Sequence, residues 1–198
     1  MSTFSAEAVA GYRNDLFVET HFREHSLRFQ TTWGLFSPKS IDEGSKLLLS
    51  HIDVYEGDDC LDMGCGYGIL GLALAKVASK GKTLLVDKDF VAVDYTHKNI
   101  QLNKLSNSES RLSNGFSAIR KDEKFSLIVS NLPAKVGNEM LSLYLADAYK
   151  HLKPGGRFVV VNIGGIRHFI KRGFKEIFGN YDKIKQGKIY TVSQAIKE

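Results

Sequence analysis

The chemistry available to this chain is set by two acids, three alternating glycines and one asparagine. Asp62 stands just ahead of Gly64, Gly66 and Gly68, Asp87 follows after the next apolar run, and Asn131-Leu132-Pro133 ends a later one. The run closing on Leu61 and Met63 reads as a buried strand, and Ile69, Leu70, Leu72, Leu74 and Ala75 open a helical pattern. Glycines between them let a ligand approach the main chain, and the helix start presents unpaired N–H groups. That combination is a cradle for a small molecule.

Gly66-Tyr67-Gly68-Ile69-Leu70-Gly71 matches the G-x-G-x-x-G dinucleotide fingerprint, with Asp87 placed to grip a ribose. Asp62 argues against a nicotinamide dinucleotide, because a carboxylate at the strand end repels a pyrophosphate. A cation would be attracted there. S-Adenosylmethionine carries an amino group, a sulfonium and ribose hydroxyls but no phosphate, so Asp62 can help hold its methionine end while Asp87 accepts from the ribose.

Other chemistry-bearing residues give weaker patterns. Cys60 and Cys65 flank the loop without the second ligand pair that zinc needs, and the six histidines form no metal or triad arrangement. No metal is expected. Trp33 and Phe36 lie in a loop beside Gly34 and Pro38, available to a pocket or to the edge of a core.

The elements that must position these groups alternate along the chain. Leu16–Thr20 and Leu27–Thr31 read as a hairpin, and residues 1–14 as a loose arm or a first helix. Ser40 with Glu43 fits a capping box opening a helix through Leu47, Leu48 and Ile52. Strands are then expected at 60–63, 83–86, near Arg111, at 125–129 and at 158–163, with helices at 69–78, 90–103, 139–152 and 166–178. Lys153-Pro154-Gly155-Gly156 should stop the 139–152 helix, and 181–185 with 189–192 make a closing hairpin. Repeated β-α-β units imply an open, mainly parallel sheet with helices on both faces and ligands at the strand C-terminal edge. We divide the chain into an extension with its hairpin (1–40) and one globular unit (41–198).

A length of 198 residues, 43% hydrophobic and 25% charged, suits a single soluble domain. The apolar runs are too short to cross a bilayer and no secretory leader opens the chain, so a cytoplasmic location without membrane attachment is expected. Net charge is +5, but from Lys153 to Glu198 ten Lys or Arg face three acids. Such a surplus either steers a polyanion or forms a solvated basic surface.

Asp62-Met63-Gly64-Cys65-Gly66-Tyr67-Gly68 with Val86-Asp87 resembles the motifs of the seven-stranded, class I S-adenosylmethionine-dependent methyltransferases. Gly34-Leu35-Phe36-Ser37, Asp42 to Leu48, Asn99-Ile100-Gln101-Leu102-Asn103, Asn131-Leu132-Pro133-Ala134 with Gly137, and Leu152 to Gly156 extend the resemblance to the small-domain methyltransferases typified by RsmC-like ribosomal RNA guanine-N2 enzymes, over roughly residues 15 to 195. It implies a Rossmann-like α/β fold and S-adenosyl-L-methionine as cofactor. Asp62, Gly64, Cys65, Gly66 and Gly68 would lie along its methionine and ribose, Asp87 and Lys88 at the ribose, and Asn114-Gly115 near the adenine. Asn131, Leu132 and Pro133 would be the catalytic segment, where the family usually has Asn-Pro-Pro and an aromatic. There the Asn oxygen and the next carbonyl accept from a planar amine. Leu132 replaces the first proline and Ala134 the aromatic, so Trp33, Phe36 or Phe116 would have to supply a stacking surface. The implied acceptor is an exocyclic nucleobase amine, guanine N2 in ribosomal RNA first. A protein glutamine amide, DNA adenine, a small amine and a non-catalytic cofactor- or RNA-binding role remain alternatives.

Overall fold

The computed structural model describes residues 4–133 and 135–198. A short helix α1 (Ala6–Gly11) precedes the antiparallel hairpin of β1 (Leu16–Phe22) and β2 (His25–Thr31), in which Leu16 faces Thr31 and Phe22 faces His25. Then come α2 (Glu43–Leu49), β3 (Cys60–Met63), α3 (Ile69–Val77), β4 (Thr83–Asp87), α4 (Phe90–Leu102) and β5 (Ser108–Leu112). β6 (Phe125–Asn131), α5 (Asn138–His151), β7 (Leu152–Ile163), a 3-10 turn at Gly164–Ile166, α6 (Arg167–Phe178), β8 (Asp182–Gln186) and β9 (Tyr190–Ile196) follow.

The main sheet has seven strands in the order β5-β4-β3-β6-β7-β9-β8. The first five are mutually parallel, and β9 runs antiparallel to both neighbours. Alternation of side chains gives it two buried faces. Cys60, Leu85, Leu127, Val129, Val159 and Val161 pack with α2, α3, α4 and the hairpin. Leu61, Met63, Val86, Ile128, Phe158 and Val160 pack with α5 and α6. This is the expected α/β architecture with its closing hairpin.

The hairpin is fastened by two amides on one face of α4. Asn99 accepts from Gln30 N (2.7 Å) and donates to Gln30 O (2.9 Å), while Asn103 does the same for Arg28 (3.0 and 2.7 Å). The four-residue spacing of these asparagines along α4 lets them bond the edge of β2 as a neighbouring strand would.

Three local expectations need correction. The N-cap of α2 is Asp42, whose carboxylate accepts from Ser45 N (3.0 Å), while Glu43 pairs with Lys46 (2.6 Å). Ser40 lies outside the helix and its carbonyl accepts from the Ser37 hydroxyl (2.6 Å). α2 also stops at Leu49, short of Ile52. Lys153-Pro154-Gly155-Gly156 does follow the end of α5, but the chain enters β7 immediately. Gly155 N donates to Lys197 O (2.6 Å) and Lys197 N to Gly156 O (2.9 Å), extending the ladder past β9.

The chain order steps from β3 outward through β4 and β5, then returns to β6 on the other side of β3. A crevice therefore opens beyond the carboxyl ends of β3 and β6. Asp62 and Asn131 stand at its two sides.

Candidate active site

At the end of β3 the chain folds back over β4, with Gly64 N and Cys65 N both donating to Val86 O (2.8 and 3.0 Å). Gly64 and Gly66 take positive φ (74° and 56°), and a Cβ on either would meet nothing within 4 Å. Both face open space, so the main chain itself forms that wall. α4 holds the loop from behind: Thr96 Oγ1 donates to Gly66 O (2.8 Å) and Asn99 Nδ2 to Tyr67 O (2.9 Å). The Tyr67 hydroxyl donates to Ser37 O (3.1 Å), which brings the segment carrying Phe36 to the mouth.

Asp62 is fully buried beneath the loop. Its Oδ2 accepts from Gly71 N (2.7 Å) in the first turn of α3, where the backbones lie so close that a Cβ on Gly71 would stand 3.0 Å from Asp62 Cβ and 2.3 Å from Leu85 Cδ2. Oδ1 has no partner among the described residues, and of the buried polar side-chain atoms in that condition it alone belongs to the cavity wall. Burial pushes the carboxyl up to about 7; the Gly71 N–H opposes the rise and the negative charge of Asp87 adds to it. Asp87 accepts from Gly66 N (2.9 Å) and Asp89 N (3.0 Å), which aims it across the loop.

On the other side, β6 ends in Asn131. The Ser130 hydroxyl donates to Met63 O (2.7 Å), clamping β6 to the end of β3. Asn131 Nδ2 donates to Asp42 Oδ2 (2.8 Å) and Ser45 Oγ (3.1 Å), so both amide hydrogens are engaged. The Tyr190 hydroxyl donates to Asp42 Oδ1 (3.0 Å) and braces the carboxylate from β9. The amide is therefore oriented, and among the described residues no donor takes its Oδ1, which is left as the acceptor on the cavity wall. Leu132 N donates to Val161 O (2.9 Å), continuing the ladder one residue beyond the strand.

These groups enclose a cavity of about 410 Å³, an ordinary size for a small-molecule or cofactor site. Asp62, Gly64, Cys65, Gly66, Asp87, Lys88, Gly115, Asn131, Leu132, Pro133 and Phe36 all line it. Others do not. Gly68 caps α3 behind the loop. Asn114 sits in an exposed turn, its N–H donating to Ser117 Oγ (3.2 Å), while its neighbours Ser113 and Gly115 reach the wall. Trp33 packs edge-on against Tyr12 (5.6 Å) under Lys39, and Phe116 is buried against His151 (5.5 Å). Ala134 lies outside the described residues. Asp42, Ser45, Tyr144 and Tyr190 are wall residues that sequence reasoning missed. The available signal was the Asp42 to Leu48 segment, which carries the family resemblance through Asp42 and Ser45 but does not show Asp42 as the partner of a residue 89 positions away.

A family model described as "Methyltransferase small domain" matches residues 26–194. The chain belongs to this methyltransferase family. Among relatives of this small-domain methyltransferase, ribosomal RNA small subunit methyltransferase C of Hamiltonella defensa is 30% identical over 187 residues, covering 90% of this chain and 54% of the relative. The uncharacterized protein YbxB of Bacillus subtilis is 28% identical over 178 residues, covering 88% of each. The structure of the Thermus thermophilus 16S rRNA N2 G1207 methyltransferase RsmC in complex with AdoMet and guanosine superposes with a TM-score of 0.81 at 27% identity, covering 91% of this chain and 50% of that one. This methyltransferase thus spans about half the length of the ribosomal RNA methyltransferases it matches, and nearly all of YbxB.

Proposed function

We propose that this methyltransferase uses S-adenosylmethionine to methylate an exocyclic amine of a nucleobase, with guanine N2 of ribosomal RNA as the acceptor. The observation that carries the proposal is the fixed Asn131 amide, whose two hydrogens are taken by Asp42 and Ser45. An acceptor held by Oδ1 must itself donate, which suits an amine and disfavours a carbonyl.

The residues present fit the cofactor. A buried, unpartnered Asp62 Oδ1 suits an ammonium group, Gly64 and Gly66 leave room against their backbones, and Asp87 is placed for hydroxyl donors. Bound there, S-adenosylmethionine supplies a methyl carbon made electrophilic by its sulfonium. Everything else is positioning by this chain. Asn131 Oδ1 and the Leu132 carbonyl accept the two N–H bonds of the amine, which holds its lone pair out of conjugation with the ring. Pro133 and Leu132 wall the entry, and Phe36, 67% exposed at the mouth, offers a face for an extruded base where the family aromatic is replaced by Ala134. No protein nucleophile is needed, and orientation in a dry site supplies the acceleration.

Support for RNA over other amine-bearing acceptors comes from the relatives named as ribosomal RNA methyltransferases and from the basic distribution of residues 153–198. The test is transfer of label from radioactive cofactor into separated RNA, protein and DNA fractions. We expect label in RNA, at guanine. Asn131→Ala should lower the rate on the order of a hundredfold and Tyr190→Phe on the order of tenfold, both with cofactor affinity retained. Label confined to protein would overturn the acceptor; calorimetry showing NAD bound and S-adenosylmethionine not bound would overturn the cofactor.

A further inference from the structure

The basic surplus of the last third of the sequence divides into two groups. Lys153 pairs with Asp59 (2.6 Å) and Arg157 with Asp58 (2.8 Å), at the sheet edge away from the cavity. The other group lies on α6 and the β8–β9 hairpin. No acid occurs from Ile163 to Lys175, and none from Lys183 to Lys197.

The register of the strands sorts this second group. Ile184 packs on the face shared with Val192 and the N-terminal hairpin, and Lys185, paired with Val192 just past a bulge in β8, turns to that same face. The opposite face is the one α6 covers through Ile170, Phe174 and Phe178, so Lys185 stands apart from the cations of α6. Arg167 and Lys171 occupy the first turns of α6, with Lys171 5.7 Å from the centre of the Tyr181 ring. Tyr190 pairs with Ile163, and both line the cavity. Gly164 N donates to Ile189 O (3.1 Å), which fastens the turn carrying Lys188 to the start of α6. Lys185 and Lys188 are exposed, and Ile189 between Lys188 and the cavity wall is 63% exposed. Among the described residues, none of Arg167, Lys171, Lys185 and Lys188 is in an ion pair, whereas their neighbour Arg172 reaches Glu176.

We propose that Arg167, Lys171 and Lys188 form a docking rim for the phosphodiester backbone of a single-stranded RNA segment, whose target base enters the cavity beside Asn131. It rests on the RNA reading above and adds where the polymer lies. A recessed acceptor site requires an unstacked base, and a backbone flanking such a base is held by unpaired cations beside an apolar contact. Ile189 supplies that contact at the mouth. Three phosphate contacts at the rim would give a binding slope against log salt of roughly −2, at about −0.7 for each phosphate on a single strand.

The rim is tested with Lys171→Glu/Lys188→Glu, Lys171→Ala/Lys188→Ala and, as a control at the opposite sheet edge, Lys121→Glu. Binding of a fluorescent guanine-containing single-stranded RNA is followed by anisotropy between about 50 and 200 mM salt. S-Adenosylhomocysteine binding and the thermal midpoint are measured on the same samples. The alanine pair should weaken RNA binding at least tenfold and reduce the salt slope by roughly 1.4, the glutamate pair should weaken it further, and cofactor affinity and midpoint should stay unchanged. Methylation of free guanosine, which has no backbone to dock, should be unaffected in both pairs. If both pairs lose no more RNA affinity than Lys121→Glu, the rim is overturned while labelled RNA still upholds the enzyme reading. A wild type that binds S-adenosylhomocysteine but no RNA at low salt overturns both.

Discussion

Asp62 combines complete burial with an unpartnered oxygen, and this couples ligand binding to a proton. Its carboxyl is pushed up to about 7, against an ordinary 3.8, so the free protein holds a proton that the unfolded chain has already lost in that interval. Folding stability from this group therefore falls as pH rises from about 4 to about 7. Cofactor binding has the opposite sign, because a cation favours the carboxylate. We expect S-adenosylhomocysteine affinity to rise as pH rises through 7, with proton release near pH 6 measured by calorimetry in buffers of different ionisation enthalpy. Binding without proton release would mean that Asp62 does not face the ammonium group. At this scale Asp62 and Asp87 were legible because their distance from the glycines is local and their charge excludes a phosphate. Asp42 was only half legible. Ser40, Asp42 and Glu43 all compete for a cap by local rules, and the tie is broken by Asn131 and Tyr190, which no local rule sees.

α4 illustrates how one element serves two others. Asn99 and Asn103 bond the open edge of β2, and Asn99 also holds Tyr67 O in the cofactor loop. Asn99→Leu leaves the half-buried Gln30 N and O and the buried Tyr67 O without these partners. It should cost about 2–3 kcal/mol in urea unfolding and also weaken cofactor binding, since the loop loses its rear support. A loss below about 0.5 kcal/mol would show that the hairpin is held by its apolar contacts alone. The elements themselves were largely legible, because buried parallel strands read as continuous apolar runs and α3 and α5 carry a clear apolar period. Junctions were less so: Lys153 to Gly156 reads as a helix stop, and the pairing of Leu152 with Phe125 and the ladder with Lys197 make the segment strand. Asn114-Gly115 likewise reads as a ligand turn, yet it is Ser113 and Gly115 that reach the wall.

Across the whole molecule, the sheet separates structural charge from charge available to a partner. Arg157 donates to Asp58 (2.8 Å) and to Asp53 O (2.8 Å), with only 13% and 7% of the Arg157 and Asp58 side chains exposed. Arg157→Met should destabilise the fold by about 3 kcal/mol, because Asp58 is left buried without its counter-ion. Denaturant unfolding checks this, and a change under about 1 kcal/mol would show that Tyr55 N and Ser126 Oγ, which also donate to Asp58, suffice. The charge surplus was legible by counting; its partition was not, since it depends on which strand end each residue occupies. The order of β-α-β units made a mainly parallel sheet and its ligand edge legible, but the reversal point between β3 and β6 comes from the strand order of the folded sheet.

The node at Asp42 joins residue 42 to residues 131 and 190, and β9, which carries Tyr190, is inserted between β7 and β8 rather than added at an edge. A chain caught part-way through synthesis can already form the glycine loop, Asp62 and Asp87. Until Tyr190 has been made and β9 has found its slot, Asp42 holds Asn131 without a brace of its own. Full transfer competence thus waits on one of the last strands of the sequence, and a chain lacking that brace should transfer no faster than Tyr190→Phe.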